Sequence, residues 1–395
     1  MNKLICLIQE LCPSGVEYLP LEKCCTILDN KRKPVTKAAR EAGEYPYYGA
    51  NGIQDYVSDY IFNGTFVLVG EDGSVITSNG TPVVTWATGK IWVNNHAHII
   101  SEIDGVLLRY LFHYLQTVNV TPLIHGNIPK LTGGDFRALR IPLPPLAVQQ
   151  EIVRILDSFT ELTAELTAEL TARRKQYEHY RDELMNTAKD LQERSFSELF
   201  DFQNGFAFKS SSFKESGSPI LRITNIQEQH INTSGLVYFS SEDYRENLAP
   251  FIVYPGDIVV AMSGATTGKI GVNDTNLSFY LNQRVGKFIP RENVILKQYL
   301  YHLLLKYSGK LLEISSGSGA QPNLSSEKLK RLTAQVPSIP EQTRILNLLE
   351  RFDVLNTSLG SGLPAEITAR QKQYEYYRDK LLTFKELEEQ DAENC

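Results

Sequence analysis

Two stretches of the sequence carry parallel sets of hydrogen-bonding side chains that are suited to contacting nucleic acid. Arg or Lys pairs with guanine, and Asn or Gln with adenine, in the major groove of DNA. The first set is Lys90, Asn94, Asn95, Asn127 and Lys130, and the second is Lys269, Asn282, Gln283, Arg284, Gln321 and Asn323. Taken singly, each is more often a turn or surface residue. Their recurrence at parallel places predicts one contact surface in each half of the chain.

The sequence contains no motif for catalysis. GATTGK (264–269) is one residue short of a phosphate-binding loop, and Ile270 stands where that loop needs Ser or Thr. His96 and His98 would share one face of a strand, but no third metal ligand lies near them, so we expect a structural role and no metal. G-x-S-x-G, H-E-x-x-H, G-x-G-x-x-G and the N-P-P-Y-type tetrad of amino-methyltransferases are all absent. We therefore predict a protein without catalytic residues.

The two sets of polar residues lie in two α/β blocks with related sequences. TGKIWVN (88–94) matches TGKIGVN (267–273), and RYLFHYL (109–115) matches QYLYHLL (298–304). GNIPKLTGGDFRAL from Gly126 likewise matches GAQPNLSSEKLKRL from Gly319. In the first block, apolar runs between turn residues predict strands at 66–69, 82–86, 91–93 and 97–100, then a helix over 105–118.

A long helix is predicted after each block. Apolar or aromatic side chains recur in steps of four and three from Ile152 to Leu184, if Thr163 and Arg173 fill the two gaps, and this is the seam of a coiled coil. The pattern returns 193 residues later, and TAR-x-KQYE-x-YRD occurs from Thr171 and again from Thr368. The predicted interface residues are Ile152, Leu156, Phe159, Leu166, Leu170, Tyr177, Tyr180 and Leu184 in the first helix, and Ile345, Leu349, Phe352, Leu359, Ile367, Tyr374, Tyr377 and Leu381 in the second.

Four additional residues, near positions 360–363, distinguish the second helix from the first. Such an insertion is a coiled-coil stutter if the helix continues. Gly360, Gly362 and Pro364 together favour a break instead, with Pro364 in the first turn of a new helix.

The repeat predicts an α+β fold with an internal pseudo-twofold repeat, because a tandem duplication tends to close about such an axis. Two α/β domains would be separated by two long antiparallel coiled-coil helices. The expected segments are a first α/β domain at 1–140, a first helix at 141–190, a second α/β domain at 191–335, a second helix at 336–387 and an acidic tail at 388–395.

The composition indicates how tightly the chain can bind DNA alone and in which compartment it is expected. The net charge is −6, yet residues 1–140 carry only −1 and residues 191–335 carry +2. Such blocks can approach phosphates but lack the charge to bind DNA tightly alone. Five cysteines without C-x-x-C suggest reduced thiols, and no apolar run is long enough for a membrane helix. We expect a cytoplasmic protein that does not contact a membrane.

The duplicated helix resembles that of the specificity subunit of type I restriction–modification enzymes. The resemblance is carried by PLPPLAVQQEIVRILDSF (142–159), by ELTA written three times over 161–172, by ARRKQYEHYRDEL (172–184) and by GLPAEITARQKQYEYYRDKLL (362–382). YPYYGANGIQDYV (45–57) and WATGKIWVNNHAH (86–98) also resemble a target-recognition domain of that family.

The resemblance implies a non-catalytic subunit that recognises double-stranded DNA. Each of two target-recognition domains would read half of a bipartite, asymmetric site. The helices would set the gap between the half-sites and dock two methyltransferase subunits, with restriction subunits joining through the complex. S-adenosylmethionine, ATP and Mg would then belong to the partner subunits, and this chain would bind no cofactor.

Two other classes of protein remain open from the residues alone. One is a coiled-coil scaffold whose two domains bind proteins and not DNA, which the small charge of the blocks favours slightly. The other is an enzyme acting on DNA, which the missing motifs disfavour. A gel shift at varied salt, with and without a methyltransferase partner, distinguishes the three.

Overall fold

This computed structural model describes residues 2–227, 229–315, 322–360 and 362–387. Gln321, the acidic tail 388–395 and the side chain of Leu359 therefore lie outside the described residues. The chain divides into two compact units. Unit 1 comprises the residues up to Glu169 and those from Leu363 onward, and unit 2 comprises Leu170–Gly362.

The first half of the chain forms ten strands and five α-helices in its described part. They are α1 (Asn2–Leu11), β1 (Glu17–Pro20), α2 (Leu21–Cys24), β2 (Thr26–Ile27), β3 (Ala42–Gly49), β4 (Gly52–Val57), β5 (Phe62–Gly70), β6 (Val84–Val93), β7 (Ala97–Ser101), α3 (Leu108–Leu115), β8 (Ile124–His125), β9 (Lys130–Leu131), α4 (Gly133–Ala138), β10 (Arg140–Leu143) and α5 (Leu146–Asn186). Short 3-10 helices cover Asp29–Lys31, Lys37–Ala39 and Thr121–Leu123.

The second half continues with ten strands and six α-helices in the residues described. They are β11 (Gln192–Ser195), α6 (Phe196–Leu199), β12 (Phe200–Asn204), β13 (Ser218–Leu221), β14 (Val237–Phe239), β15 (Ile252–Val253), β16 (Ile258–Ala261), β17 (Ile270–Val272), β18 (Phe279–Leu281), β19 (Val285–Pro290), α7 (Lys297–Lys306), α8 (Ser308–Ser315), α9 (Ser326–Lys330), β20 (Thr333–Val336), α10 (Ile339–Gly360) and α11 (Gly362–Leu381). Its 3-10 helices are Ser210–Ser212, Ile223–Asn225, Ser241–Asp243 and Ala249–Phe251.

The two units share a frame of strands. In unit 1, β5 pairs antiparallel with β7, with Gly70 opposite Ala97, and β2 lies on the far side of β7. In unit 2, β16 pairs antiparallel with β19, with Ala261 opposite Val285, and β12 lies on the far side of β19. The frame strands form because runs of aliphatic residues, at 67–69 and 258–260, are buried on both faces. The repeat predicted from the sequence is confirmed in this frame.

The strands outside the frame differ between the units. Unit 1 adds β6, β3 and β4 to form one six-stranded sheet in the order β2-β7-β5-β6-β3-β4. Unit 2 has two four-stranded sheets, β12-β19-β16-β17 and β14-β13-β18-β15. Each unit also has a two-stranded sheet immediately before its long helix, β1-β10 in unit 1 and β11-β20 in unit 2.

Strand β6 corrects one prediction, because the strands expected at 82–86 and 91–93 form a single strand. Gly89 in β6 pairs with Gly64 in β5, and both have positive φ, of 81° and 152°. Glycines on both sides let the ladder bend without ending the pairing. The helix expected over 105–118 is also shorter, because α3 spans only Leu108–Leu115.

The long helices of the repeat pack on each other within each unit. In unit 2, the Tyr180 ring lies 4.5 Å from that of Phe352, and the Lys189 amide donates to the Glu341 carboxylate at 3.2 Å. From Tyr180 to Lys189 the residue number rises, while that of the partner falls from Phe352 to Glu341. The two helices are therefore antiparallel. In unit 1, the ring of Phe159 stacks at 5.5 Å on that of a residue of α11, Tyr377.

A buried glutamine, Gln149, attaches the start of α5 to the block of unit 1. Its Oε1 accepts a hydrogen bond from the Leu107 amide at 3.0 Å, and its Nε2 donates to the carbonyls of Gly105 (3.1 Å) and Pro144 (2.8 Å). The side chain is only 1% exposed. It thereby holds the start of α3 against the start of α5.

Gln342, which is 193 residues later, makes the same attachment in unit 2. Its Oε1 accepts from the Leu296 amide at 2.9 Å, and its Nε2 donates to the carbonyls of Val294 (3.0 Å) and Pro337 (2.9 Å). Both glutamines bond the residue that precedes the block's helix, so the attachment belongs to the repeated unit.

A histidine of α3, His113, joins three helices of unit 1. Its Nε2 donates to Asp157 of α5 at 2.8 Å, and its Nδ1 accepts from the hydroxyl of Tyr374 of α11 at 2.9 Å. Burial lowers the pKa of His113, and the Asp157 carboxylate opposes this only in part. The imidazole is therefore neutral and links the block to both long helices.

The matching histidine of unit 2, His302, lacks such partners among the residues described. Its Nδ1 atom is buried without a hydrogen bond in the described part of the structure. Burial, with a smaller effect from the positive charge of Arg181, lowers the pKa of His302 to about 4. The two units therefore differ at this matched position. Both ring nitrogens of His113 are hydrogen-bonded, whereas the Nδ1 of His302 has no partner among the described residues.

We expect His302→Phe to make unit 2 less sensitive to acid. The folded pKa of about 4 lies below the ordinary 6.5, so the unfolded state binds the proton first as the pH falls. The free energy of unfolding of the wild type should fall between these values by up to about 3 kcal/mol, and this component should be missing in the variant. Urea unfolding across this pH range measures it, with the exposed His179→Phe as control. Identical pH profiles for His302→Phe and the wild type would contradict the expectation.

Two further properties concern the whole described chain. The cysteines at positions 6, 12, 24 and 25 are free thiols. Among the helices described, none is both long and apolar enough to cross a membrane.

Candidate nucleic-acid interface

Most of the predicted contact residues collect where the chain leaves a frame strand. We call the residues after β5 (71–73) and after β16 (262–264) the exit loops of units 1 and 2. In unit 1, the exit loop lies between the segment that leads into β7 and the segment that leads into α4. In unit 2, it lies between the segments that lead into β19 and α9. Together the three segments form one candidate surface in each unit.

Identical backbone contacts define matched positions in the two surfaces. The Glu71 amide donates to the His96 carbonyl at 2.8 Å, and the Met262 amide donates to the Arg284 carbonyl at 2.8 Å. His96 and Arg284 therefore occupy equivalent places, one residue before β7 and one before β19.

The segments that lead into α4 and α9 also occupy equivalent positions. The Leu131 amide donates to the Glu71 carbonyl at 2.8 Å, and the Leu324 amide donates to the Met262 carbonyl at 2.7 Å. Antiparallel bridges also join Asp72 to Lys130 in unit 1, and Ser263 to Asn323 in unit 2. Asp72 thus corresponds to Ser263, and Lys130 to Asn323.

In unit 1 this arrangement brings together Asn95, Asn127 and Lys130. Asn95 and Asn127 are exposed, and Lys130 forms an ion pair with Glu71 at 3.2 Å. The loop between β8 and β9 also carries Ile128, whose side chain is 68% exposed. The surface therefore offers amide groups, one paired ammonium and one apolar tip.

A network of ion pairs holds Glu71, the first residue of the exit loop of unit 1, in place. Arg32 bonds Glu71 at 2.6 Å, and His98 bonds Asp29 at 2.7 Å. Burial raises the pKa of Asp29, but hydrogen bonds from His98 and from the Ile99 amide, with the charge of Arg32, lower it below its ordinary value overall. Asp29 is therefore ionised and anchors this part of the surface.

The same residues account for the histidine pair noted in the sequence. A carboxylate or imidazole atom of Asp29, Glu71 and His98 each lies within 4.8 Å of the others, as metal ligands could. Arg32 engages Glu71, however, and the second ring nitrogen of His98 bonds the Leu131 carbonyl at 3.1 Å. The geometry is that of an ion-pair network. His96 bonds a different carboxylate, that of Asp72.

Two predicted contact residues of unit 1 lie apart from this group. Asn94 is only 2% exposed, donates to Gln54 at 3.3 Å and accepts from the His96 amide at 2.8 Å. Its amide is therefore not available to a ligand and instead shapes the turn that carries His96. Lys90 is exposed, with its ammonium 4.8 Å from the centre of the Tyr60 ring.

In unit 2 the exit loop brings together the predicted residues that the structure describes, Lys269, Asn282, Gln283, Arg284 and Asn323. Lys269, Gln283, Arg284 and Asn323 are exposed, and Asn282 is partly buried. Neither Lys269 nor Arg284 has an ion-pair partner among the residues described. This surface therefore presents free positive charge, whereas the charges on the surface of unit 1 are paired.

The structure adds residues that the sequence patterns missed. His96, Asp72 and Ser263 lie within the two surfaces, at positions matched by backbone contacts. The sequence match of 88–94 with 267–273 ends before these residues, so only the strand pairing sets His96 beside Arg284.

The predicted helix-interface residues range from buried to exposed. Buried are Ile152, Leu156, Ile345, Leu349 and Leu381; partly buried are Phe159, Leu166, Leu170, Tyr177, Leu184, Phe352, Ile367, Tyr374 and Tyr377. Tyr180 is 39% exposed although its ring contacts Phe352. α10 ends at Gly360 and α11 begins at Gly362, with Pro364 in its first turn, while Ser361 lies outside the described residues.

Comparison with known proteins finds a family match over most of the chain. The type I restriction modification DNA specificity domain matches residues 13–173 and again residues 188–369. A Haemophilus influenzae chain named as a type I restriction enzyme specificity subunit is 37% identical over 385 residues, covering 94% of this chain and 96% of that one. The Escherichia coli EcoR124I/EcoR124II specificity subunit is 31% identical over 353 residues, covering 81% and 85%.

Solved structures show the same architecture. The S subunit of a type I restriction–modification system from M. genitalium aligns over 93% of this chain and 96% of its own, with a TM-score of 0.50 and 16% identity. A chain from a structure concerned with complex assembly and conformational transition of the type I R-M system aligns over 94% and 98%, with a TM-score of 0.52 and 16% identity. At this identity the similarity concerns the fold, and it confirms the mixed α and β architecture expected from the sequence.

Proposed function

Since the chain belongs to the type I restriction–modification DNA specificity family, we propose that it is the subunit that gives such a complex its DNA sequence specificity. Unit 1 and unit 2 each read one half of a bipartite, asymmetric site in double-stranded DNA. The long helices set the gap between the half-sites and dock two methyltransferase subunits, and restriction subunits join through that complex.

One observation carries this proposal. The two surfaces have matched backbones but different side chains, with Asp72, His96 and Lys130 in unit 1 at the places of Ser263, Arg284 and Asn323 in unit 2. Side chains with different donors and acceptors read different bases from the same docking position. Two such surfaces in one chain fit a site whose halves have different sequences.

The chemistry of the complex belongs to the partners in this proposal. We infer that S-adenosylmethionine, ATP and Mg bind to the partner subunits, and that this chain supplies recognition alone.

The test is a DNA-binding and methylation assay with the full chain, alone and with the methyltransferase of its own system. The chain alone should bind DNA weakly and, with S-adenosylmethionine, transfer no methyl group. The complex should methylate one bipartite sequence among many. Methyl transfer by the chain alone would refute the non-catalytic assignment. A complex without any sequence preference, or a chain that captures only protein, would favour the scaffold.

Arg284→Ala should weaken recognition of the second half-site only. An arginine that pairs with guanine contributes about 1–3 kcal/mol of discrimination, so one base position should become relaxed. Methylation of a library with randomised half-sites measures this, with Arg245→Ala as control because Arg245 is also exposed in unit 2. Equal loss on all sequences would make Arg284 a phosphate contact, and no loss would remove it from the interface.

A further inference from the structure

We propose that His96 is a base-contact residue of unit 1, and that it reads the first half-site from the position that Arg284 occupies in unit 2. This inference rests on the proposed function. It identifies a residue that the pattern of Lys, Arg, Asn and Gln did not include, and it assigns part of the difference between the half-sites to one matched pair of side chains.

The equivalence of the two positions comes from the backbone. Each residue immediately precedes the frame strand that pairs with the exiting strand, β7 in unit 1 and β19 in unit 2. Each carbonyl accepts from the first amide of the exit loop, with the same distance of 2.8 Å. Side chains from matched backbone positions leave the surface at matched places, so a ligand docked alike on both units meets His96 in one and Arg284 in the other.

The imidazole of His96 is held in one orientation. Its Nδ1 bonds the carboxylate of Asp72, and because an ionised carboxylate only accepts, Nδ1 carries the hydrogen. The buried Asn94 fixes the backbone by accepting from the His96 amide at 2.8 Å. The His96 side chain is 47% exposed, and its Nε2 has no hydrogen-bond partner in the described part of the chain. The ring thus offers one oriented, unsatisfied nitrogen to a ligand.

The two side chains read DNA in different ways. Arginine presents a fork of donors that matches the two acceptors of guanine. A histidine Nε2 makes a single hydrogen bond with a base edge, so its contribution to discrimination is smaller. Asp72 acts as a positioning residue, because it sets which ring nitrogen faces outward.

The experiment uses the full chain with its methyltransferase and a DNA library in which both half-sites are randomised. His96→Ala should reduce the preference at one base position of the first half-site by about three- to tenfold, as expected for one hydrogen bond. His96→Arg should shift the preference at that same position towards guanine. Both variants should read the second half-site as the wild type does, and this also shows that they are folded.

Two further variants, both at Asp72, distinguish loss of the His96 ring orientation from a general loss of folding. Asp72→Ala should weaken the preference at the His96-dependent base position, and Asp72→Asn should restore it because an amide oxygen still accepts from Nδ1. His230→Ala is the matched control, since His230 is an exposed histidine of unit 2 that lies outside the long helices and should leave the first half-site unchanged.

The outcomes separate this inference from the proposed function. If the wild-type complex shows no sequence preference in either half-site, the proposed function fails. If the wild type reads both halves but neither His96 variant alters the first, the assignment of His96 is overturned. A change in both halves would also overturn it, because a base contact acts on one half-site only.

Discussion

Deletion of residues 167–170 should produce a complex that reads both half-sites unchanged but requires a gap one base pair shorter. These residues are one TAEL unit of the repeat in α5, the helix that carries residues of both units. The remaining repeats take the place of the deleted one, so the helix and its leucine seam continue. Sites with the original gap should no longer be methylated, which makes this a change of specificity and not a graded loss.

Helix geometry sets the expected change in the gap. Deleting four residues shortens an α-helix by about 6 Å and rotates its downstream part by about 40°, since each residue contributes ~1.5 Å and ~100°. One base pair of B-DNA contributes about 3.4 Å and about 34°. The translation would allow one or two base pairs, but the rotation fits one. Rotation should decide, because a surface out of rotational phase faces the DNA backbone and not the groove.

The measurement is methylation of a plasmid library in which only the gap length varies. Insertion of a further TAEL unit is the matched control and should lengthen the preferred gap by one base pair. An unchanged gap would show that α5 does not set the spacing. A changed half-site sequence would show that the helix takes part in reading bases.

Gln149→Leu should destabilise unit 1 by about 3 kcal/mol or more. Leucine has a similar size but leaves the Leu107 amide and the carbonyls of Gly105 and Pro144 without their partner, and each unsatisfied buried group costs about 1–3 kcal/mol. Urea unfolding measures the loss, and hydrogen exchange of the α3 amides should locate it at the attachment of α3 to α5.

The neighbouring residue offers a matched control. Gln150 is exposed, so Gln150→Leu should change the free energy of unfolding by less than about 0.5 kcal/mol. Gln342→Leu should reproduce the large effect in unit 2, because Gln342 makes the same three hydrogen bonds. A loss for Gln149→Leu no larger than that for Gln150→Leu would show that the buried hydrogen bonds do not secure the helix.

The sequence by itself determined the repeat and the long helices. Their signals are local, because a seam of period 3.5 appears within a few turns, as between Ile152 and Leu184. The repeat also placed two sets of polar residues in parallel, since the same order of elements recurs 193 residues later. The buried glutamines could have been found in the same way, because Gln149 and Gln342 are also 193 residues apart.

The tertiary structure decided which polar residues face outward and which side chains are equivalent. Asn94 and Asn95 are neighbours of the same type, yet only the first is buried, because Gln54 from a distant strand bonds it. His96 and Arg284 are matched through strand pairing and not through residue type. Loop side chains have no period of their own, and their environment is set by partners far away in the sequence. For that reason the elements could be predicted from the chain, whereas the composition of each surface required the fold.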